Sequence, residues 1–234
     1  MTMRQCQSIL IVFAILAFGL VPTNAQDQRP GEDIEVPEPK DPPKVHPSCE
    51  KIASDFGSML GNEGQPRSLD VPHSGIDLNV PEGTPILAAS HGRVVYAGNS
   101  PWGGKVIRIY HGTRDWQGRT LHLFSSYVHM IQNDVVKPGD DVRRGTLIGY
   151  SGNTGIATTK TPHLHFAVQI NIDGVIEIEE GRIATAKTVN PHLFWFRRKA
   201  DKQYIGFLTE PREQRPYTFD GKFRNFTYPV TCPG

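Results

Sequence analysis

Cysteine is scarce in this chain, with three in 234 residues. One of them, Cys6, falls in an N-terminal stretch that reads as a leader, so too few remain to close a thiolate-rich structural metal site. An excess of either charge is also lacking. Removing residues 1–25 takes away Arg4 and no acid, so 25 basic against 24 acidic residues become 24 against 24. That balance argues against a nucleic-acid partner, which calls for a basic face. No apolar run reaches membrane length either. Ile9 to Val21 gives about 13 residues, where a spanning helix needs roughly 20. With Arg4 ahead of it and Thr23-Asn24-Ala25 behind, residues 1–25 read as a cleavable secretory leader, leaving no stable membrane span. Cys6 lacks the small-residue setting of a lipid-attachment site. Helical periodicity is sparse as well, and Glu50 to Leu60, with Ile52, Phe56 and Leu60 four apart, is the one weak candidate.

What is present suits an exported β protein, periplasmic or secreted. Export places Cys49 and Cys232 in an oxidising compartment, which predicts a disulfide between them. Residues 26–48 are rich in Pro and charge and poor in large apolar side chains, and read as an extended tether. Residues 49–196 have the composition of one globular domain. Residues 197–234, with Tyr204, Phe207, Tyr217, Phe219, Phe223, Phe226 and Tyr228, are too aromatic for a free tail and are expected to pack back on it. Within the domain, 93–97, 105–110, 146–150 and 165–170 are β-branched and aromatic runs set between Gly and Pro. The fold class expected is mainly β, an antiparallel β-sandwich or barrel-like sheet with long loops.

Two segments stand out for chemistry. In His163-Leu164-His165 a strand would turn both imidazoles to one face and Leu164 to the other. In His73-Ser74-Gly75-Ile76-Asp77 an extended chain would separate the two donors by some 13 Å, so the chain must bend for both to reach one ion, and Gly75 permits that. His73, Asp77 and one histidine of the pair make three nitrogen and oxygen donors. Three protein ligands on tetrahedral zinc leave a fourth position open, the mark of a catalytic rather than a structural site. The unused histidine of the pair, and His129 in Tyr127-Val128-His129, offer groups to move protons. Spacing does not decide between His163 and His165. His46, His91, His111, His122 and His192 are assigned ordinary structural roles, His122 being the one nearest to His129 in sequence.

An ordered series of motifs resembles the lysostaphin-like, LytM-type zinc metalloendopeptidases. It runs through His73-Ser74-Gly75-Ile76-Asp77-Leu78, Gly92-Arg93-Val94-Val95-Tyr96-Ala97-Gly98, Tyr127-Val128-His129, Lys137-Pro138-Gly139-Asp140, Gly145-Thr146-Leu147-Ile148-Gly149 and Pro162-His163-Leu164-His165-Phe166. The resemblance spans about 68–195. It implies one zinc ion on His73, Asp77 and His165, with His129 and His163 as the two catalytic histidines. It implies hydrolysis of peptide cross-links in bacterial peptidoglycan, and the same antiparallel β fold. Some members that have lost metal ligands regulate other wall hydrolases. A zinc-containing regulator is accordingly the second reading, although every ligand position is filled here. The run from Val136 to Gly145 also resembles the hairpin of biotinyl and lipoyl carriers, but no Lys-Met pair marks a carrier lysine.

Overall fold

The computed structural model describes residues 36–67, 70–156 and 159–233. The expected leader, residues 1–25, and residues 26–35 of the expected tether lie outside them. Twelve strands follow in order: β1 (Ile52–Ser54), β2 (Ile76–Leu78), β3 (Pro85–Leu87), β4 (Gly92–Ser100), β5 (Gly104–Trp116), β6 (Arg119–Met130), β7 (Asp141–Val142), β8 (Leu147–Tyr150), β9 (Leu164–Asn171), β10 (Ile178–Glu179), β11 (Arg182–Ile183) and β12 (Lys187–Val189). Eight form one sheet in the order β1-β2-β9-β6-β5-β4-β7, with β12 also paired to β9, while β3–β8 and β10–β11 are separate pairs. All the ladders are antiparallel. The mainly β expectation holds.

Alternation explains how the sheet is used. On β9, Leu164, Phe166, Val168 and Ile170 enter the apolar core, joined there by Ile76 and Leu78 of β2 and Tyr127 of β6. The opposite face of β9 carries His165, Ala167, Gln169 and Asn171, so the polar side chains gather on one side of a well-packed central strand. Ile86 and Ile148, from the β3–β8 pair, belong to the same core cluster. So do Phe226, Tyr228 and Val230 of the aromatic C-terminal segment.

The ends of the domain are joined. Cys49 and Cys232 form a disulfide across a sequence separation of 183. Residues 36–48, from the expected tether, lie against the domain: Val36 and Val45 pack on the core, and Ile205 N donates to Lys44 O at 2.9 Å. Among the described residues no helix is long and apolar enough to cross a membrane.

One local expectation fails. Glu50 to Leu60 is not helical but forms β1 and a turn, with Ser54 paired to Asp77. Gly57, at φ +76°, interrupts the four-residue apolar spacing with a left-handed conformation that a helix does not admit. The helical residues of the described chain are a single 3-10 turn at Pro191–Phe194.

Candidate metal centre

The ladder between β2 and β9 sets Asp77 directly opposite His165. His73 precedes β2, after which the chain bends at Ser74 and Gly75 as the spacing requires. Gly75 does not take up a positive φ there. What glycine supplies is room, since a Cβ at this position would lie 2.5 Å from Phe166 O and 2.9 Å from the His165 ring.

Three donor atoms converge. His73 Nε2 lies 2.9 Å from His165 Nδ1 and 3.1 Å from Asp77 Oδ1, and His165 Nδ1 lies 2.9 Å from the same oxygen. Among the described residues this is the one set of three His, Cys, Asp or Glu side chains arranged to share an ion. The tautomers favour metal binding. His73 Nδ1 is 3.0 Å from Asp55 O, a carbonyl that can only accept, so it carries the proton. Nε2 of the neutral ring then directs a lone pair at the other donors. A small divalent cation fits among them, because tetrahedral arms of about 2.0–2.2 Å put ligands roughly 3.3–3.6 Å apart, a few tenths of an ångström more than observed.

The surroundings hold these groups in place. Ser54 Oγ gives its proton to Leu60 O at 2.7 Å and lies 3.1 Å from His73 Nδ1 as a second acceptor. Trp195 Nε1 donates to His192 Nδ1 at 3.0 Å, so His192 Nε2 donates to Asp55 Oδ1 at 2.9 Å and steadies the residue whose carbonyl fixes His73. Burial alone would raise the Asp77 pKa, but hydrogen bonds and charges from His165 and His73 hold it well below the usual carboxylate range. For His165 burial dominates and lowers the pKa despite the opposing pull of Asp77.

Two further imidazoles face the cluster. The His129 ring centroid lies 4.7 Å from that of His163 and 6.2 Å from that of His165. His129 Nδ1 donates to Thr154 O at 2.8 Å, and His163 Nδ1 to Thr161 O at 3.1 Å. Each therefore keeps an unprotonated Nε2. Burial lowers both pKa values, with a further lowering of His129 by the neighbouring His163. His129 also has φ +65°, a left-handed conformation costing about 1–2 kcal/mol in a non-glycine residue. Its amide donates to Gly103 O at 3.0 Å, which helps hold that conformation.

All five residues line one cavity of about 470 Å³, together with Arg67, Val71, Trp102 and Ile156. Val71, Trp102 and Ile156 are 57–59% exposed, unusual for large apolar side chains and suited to receiving a ligand. Arg67 Nη2 approaches Asp77 Oδ2 at 3.5 Å. Sequence reasoning found none of these four, nor the bracing roles of Ser54, Asp55 and His192. No local spacing reports an approach of this kind between distant loops. His122 lies elsewhere, with Nδ1 2.9 Å from Tyr110 Oη.

Residues 71–176 match the family described as Peptidase family M23. Those residues form a peptidase family M23 domain. The matched stretch holds all five histidine and aspartate positions of the cluster. The chain is 35% identical over 126 residues to the peptidoglycan DD-endopeptidase ShyA of Vibrio cholerae serotype O1, covering 54% of this chain and 23% of that protein. It is 37% identical over 103 residues to the glycyl-glycine endopeptidase ALE-1 of Staphylococcus capitis, covering 42% and 25%. The chain thus spans about a quarter of the length of these curated relatives. Among solved structures, the catalytic domain of lysostaphin from Staphylococcus simulans matches at 30% identity, covering 59% of this chain and 88% of that one, with a TM-score of 0.43.

Proposed function

We propose that this chain is a zinc-dependent endopeptidase that hydrolyses peptide cross-links of bacterial peptidoglycan. The observation that carries the reading is the convergence of His73, Asp77 and His165 donors beside two imidazoles with free Nε2 atoms. In this reading the first three residues hold one zinc ion, and His129 and His163 are catalytic. When bound, zinc supplies Lewis acidity, polarising a peptide carbonyl and acidifying water.

The chain's own groups supply the rest. His129 and His163, neutral near pH 7 because burial lowers their pKa values, can take a proton at Nε2 and return it to the departing amine. In its protonated form either ring donates to a developing oxyanion. Their Nδ1 atoms stay tied to Thr154 O and Thr161 O, which fixes the ring orientation through the proton transfer. Val71, Trp102 and Ile156 supply apolar walls for the substrate and restrict water around the scissile bond.

The reading takes residues 1–25 as a leader, 26–48 as the Pro-rich tether, of which 36–48 lie against the domain, 49–196 as the peptidase domain and 197–234 as its packed extension. The Cys49–Cys232 disulfide supports a periplasmic or secreted location. The relatives' names include both a DD-endopeptidase and a glycyl-glycine endopeptidase, so the test offers both bonds. Purified zinc-loaded protein is incubated with a D,D-cross-linked muropeptide dimer and with a glycine-bridged one, and the products are weighed. Cleavage of one, abolished by a chelator and restored by zinc, is expected. Zinc-loaded protein that leaves both intact, even after residues 26–48 are removed, overturns the reading in favour of a non-hydrolytic regulator.

A further inference from the structure

The described chain also carries cations without matching acids, away from the metal centre. Arg144, between β7 and β8, and Arg198, Lys199 and Arg212, from the C-terminal segment, line a cavity of about 310 Å³. No carboxylate lines it, and it shares no lining residue with the cavity around His73. Neighbouring Arg197, Arg215 and Arg224 pair with Asp41, Glu213 and Asp220. Among the described residues the four cations of the cavity have no such partner. With 25 basic and 24 acidic residues in the whole chain, this is a local surplus of positive charge.

Two of the cations are held in place, while Lys199 and Arg212 are exposed. Arg144 lies with Cζ 5.0 Å from the Phe196 ring centroid, and Arg198 with Cζ 4.9 Å from that of Phe207. Arg144 Nη2 donates to the carbonyls of Arg224 and Asn225, but its Nε is buried and meets no acceptor in the protein. Buried Arg108 is different, since it donates to Gly181 O, Ser126 Oγ and Gln169 Oε1. Burial and the charges of Arg212 and Arg224 push Arg144 down to about 10. His91 nearby is pushed down to about 4, by burial first and then by Arg144, Arg224, Arg212 and Arg143. Gathering cations in a partly desolvated place is costly unless an anion joins them. Forked guanidinium donors match tetrahedral oxyanions, and a dianion answers four cations better than a monoanion.

We propose that this cavity binds a phosphate-class oxyanion, held by Arg144, Arg198, Lys199 and Arg212. The anion could be a soluble phosphate or the phosphodiester headgroup of a membrane lipid.

The test is calorimetric titration of the zinc-loaded full chain with inorganic phosphate at low ionic strength, with acetate as the control. Phosphate can also ligate an active-site metal, so the titration is repeated on His165→Ala. Arg144 supports the C-terminal segment and its loss could unfold the protein. The cavity is therefore probed with the exposed pair Lys199→Gln/Arg212→Gln. Binding preserved in His165→Ala and weakened roughly tenfold or more in the double variant is expected, as befits the loss of charge-assisted contacts. Absence of binding, equal binding of acetate, or binding lost in His165→Ala and unchanged in the double variant overturns the site. Co-sedimentation with phosphatidylglycerol vesicles, sensitive to the same double substitution, supports the site and assigns the phosphate to a lipid. Calorimetric binding without co-sedimentation supports it and assigns a soluble anion.

Discussion

Asp77 and His165 occupy one rung of the β2–β9 ladder, with Oδ1 of the first 2.9 Å from Nδ1 of the second. Their meeting is set by backbone register although 88 residues separate them. A slip of one residue in that ladder would turn Asp77 to the opposite face and dismantle the centre.

The proposed division of roles predicts two kinds of variant. His73→Ala, Asp77→Ala and His165→Ala should lose zinc along with hydrolysis. His129→Ala and His163→Ala should keep stoichiometric zinc while turnover falls by about 10²–10⁴. Metal analysis and muropeptide digestion on the same samples separate the classes. Full activity in His165→Ala would sink the site as described.

Gly75→Ala is a more demanding case, because it alters no donor. The added methyl would have to displace Phe166 O and the His165 ring, both in the central ladder. A loss of about 1–3 kcal/mol in stability is expected, with weaker zinc binding as His165 is pushed aside. Normal zinc affinity, measured by competition with a chromogenic chelator, would show that the close approach is not needed.

How much of this was legible in the sequence depends on range. Strands with β-branched runs were visible, and so was the same-face placement of His163 and His165, because alternation is local. Choosing between them was not, since it rests on which one β2 aligns with Asp77, a long-range property; the family resemblance supplied that choice. Ile52, Phe56 and Leu60 have helical spacing, but Gly57 between them takes a left-handed conformation that breaks it. Asp55 and Thr154 could not have been found by side-chain chemistry, since they hold His73 and His129 through backbone carbonyls, which every residue carries.

Acid should destabilise the fold in a specific window. His111 is fully buried, with Nδ1 donating to His91 O and Nε2 accepting from Ser125 Oγ, and burial pushes its pKa to about 3. Below the ordinary histidine value of about 6.5 the unfolded chain takes up a proton that the folded chain refuses. Stability therefore falls as pH drops from about 6.5 toward 3, by an amount on the order of several kcal/mol at full effect. Urea midpoints at pH 7 and pH 4.5 should differ less in His111→Gln, whose amide can keep both hydrogen bonds. An unchanged difference would remove His111 from the account.

The disulfide should matter for stability as well. Closing a loop as long as that from Cys49 to Cys232 restricts the unfolded chain, by about 5 kcal/mol in the chain-entropy estimate. Denaturation of a Cys49→Ser/Cys232→Ser protein should show most of that loss. A change below about 1 kcal/mol would mean that packing of Phe226, Tyr228 and Val230 already holds the C-terminal segment without the bridge.

The same bond makes the domain a covalent ring. Between Cys49 and Cys232 the backbone has no free end, so one proteolytic nick at any loop inside that span yields two pieces that still travel as a single molecule. Release of a fragment takes two cuts or a reductant. When a protease attacks, first damage to an exposed loop leaves β2 and β9 tethered to each other, and the strands that carry Asp77 and His165 are not free to diffuse apart.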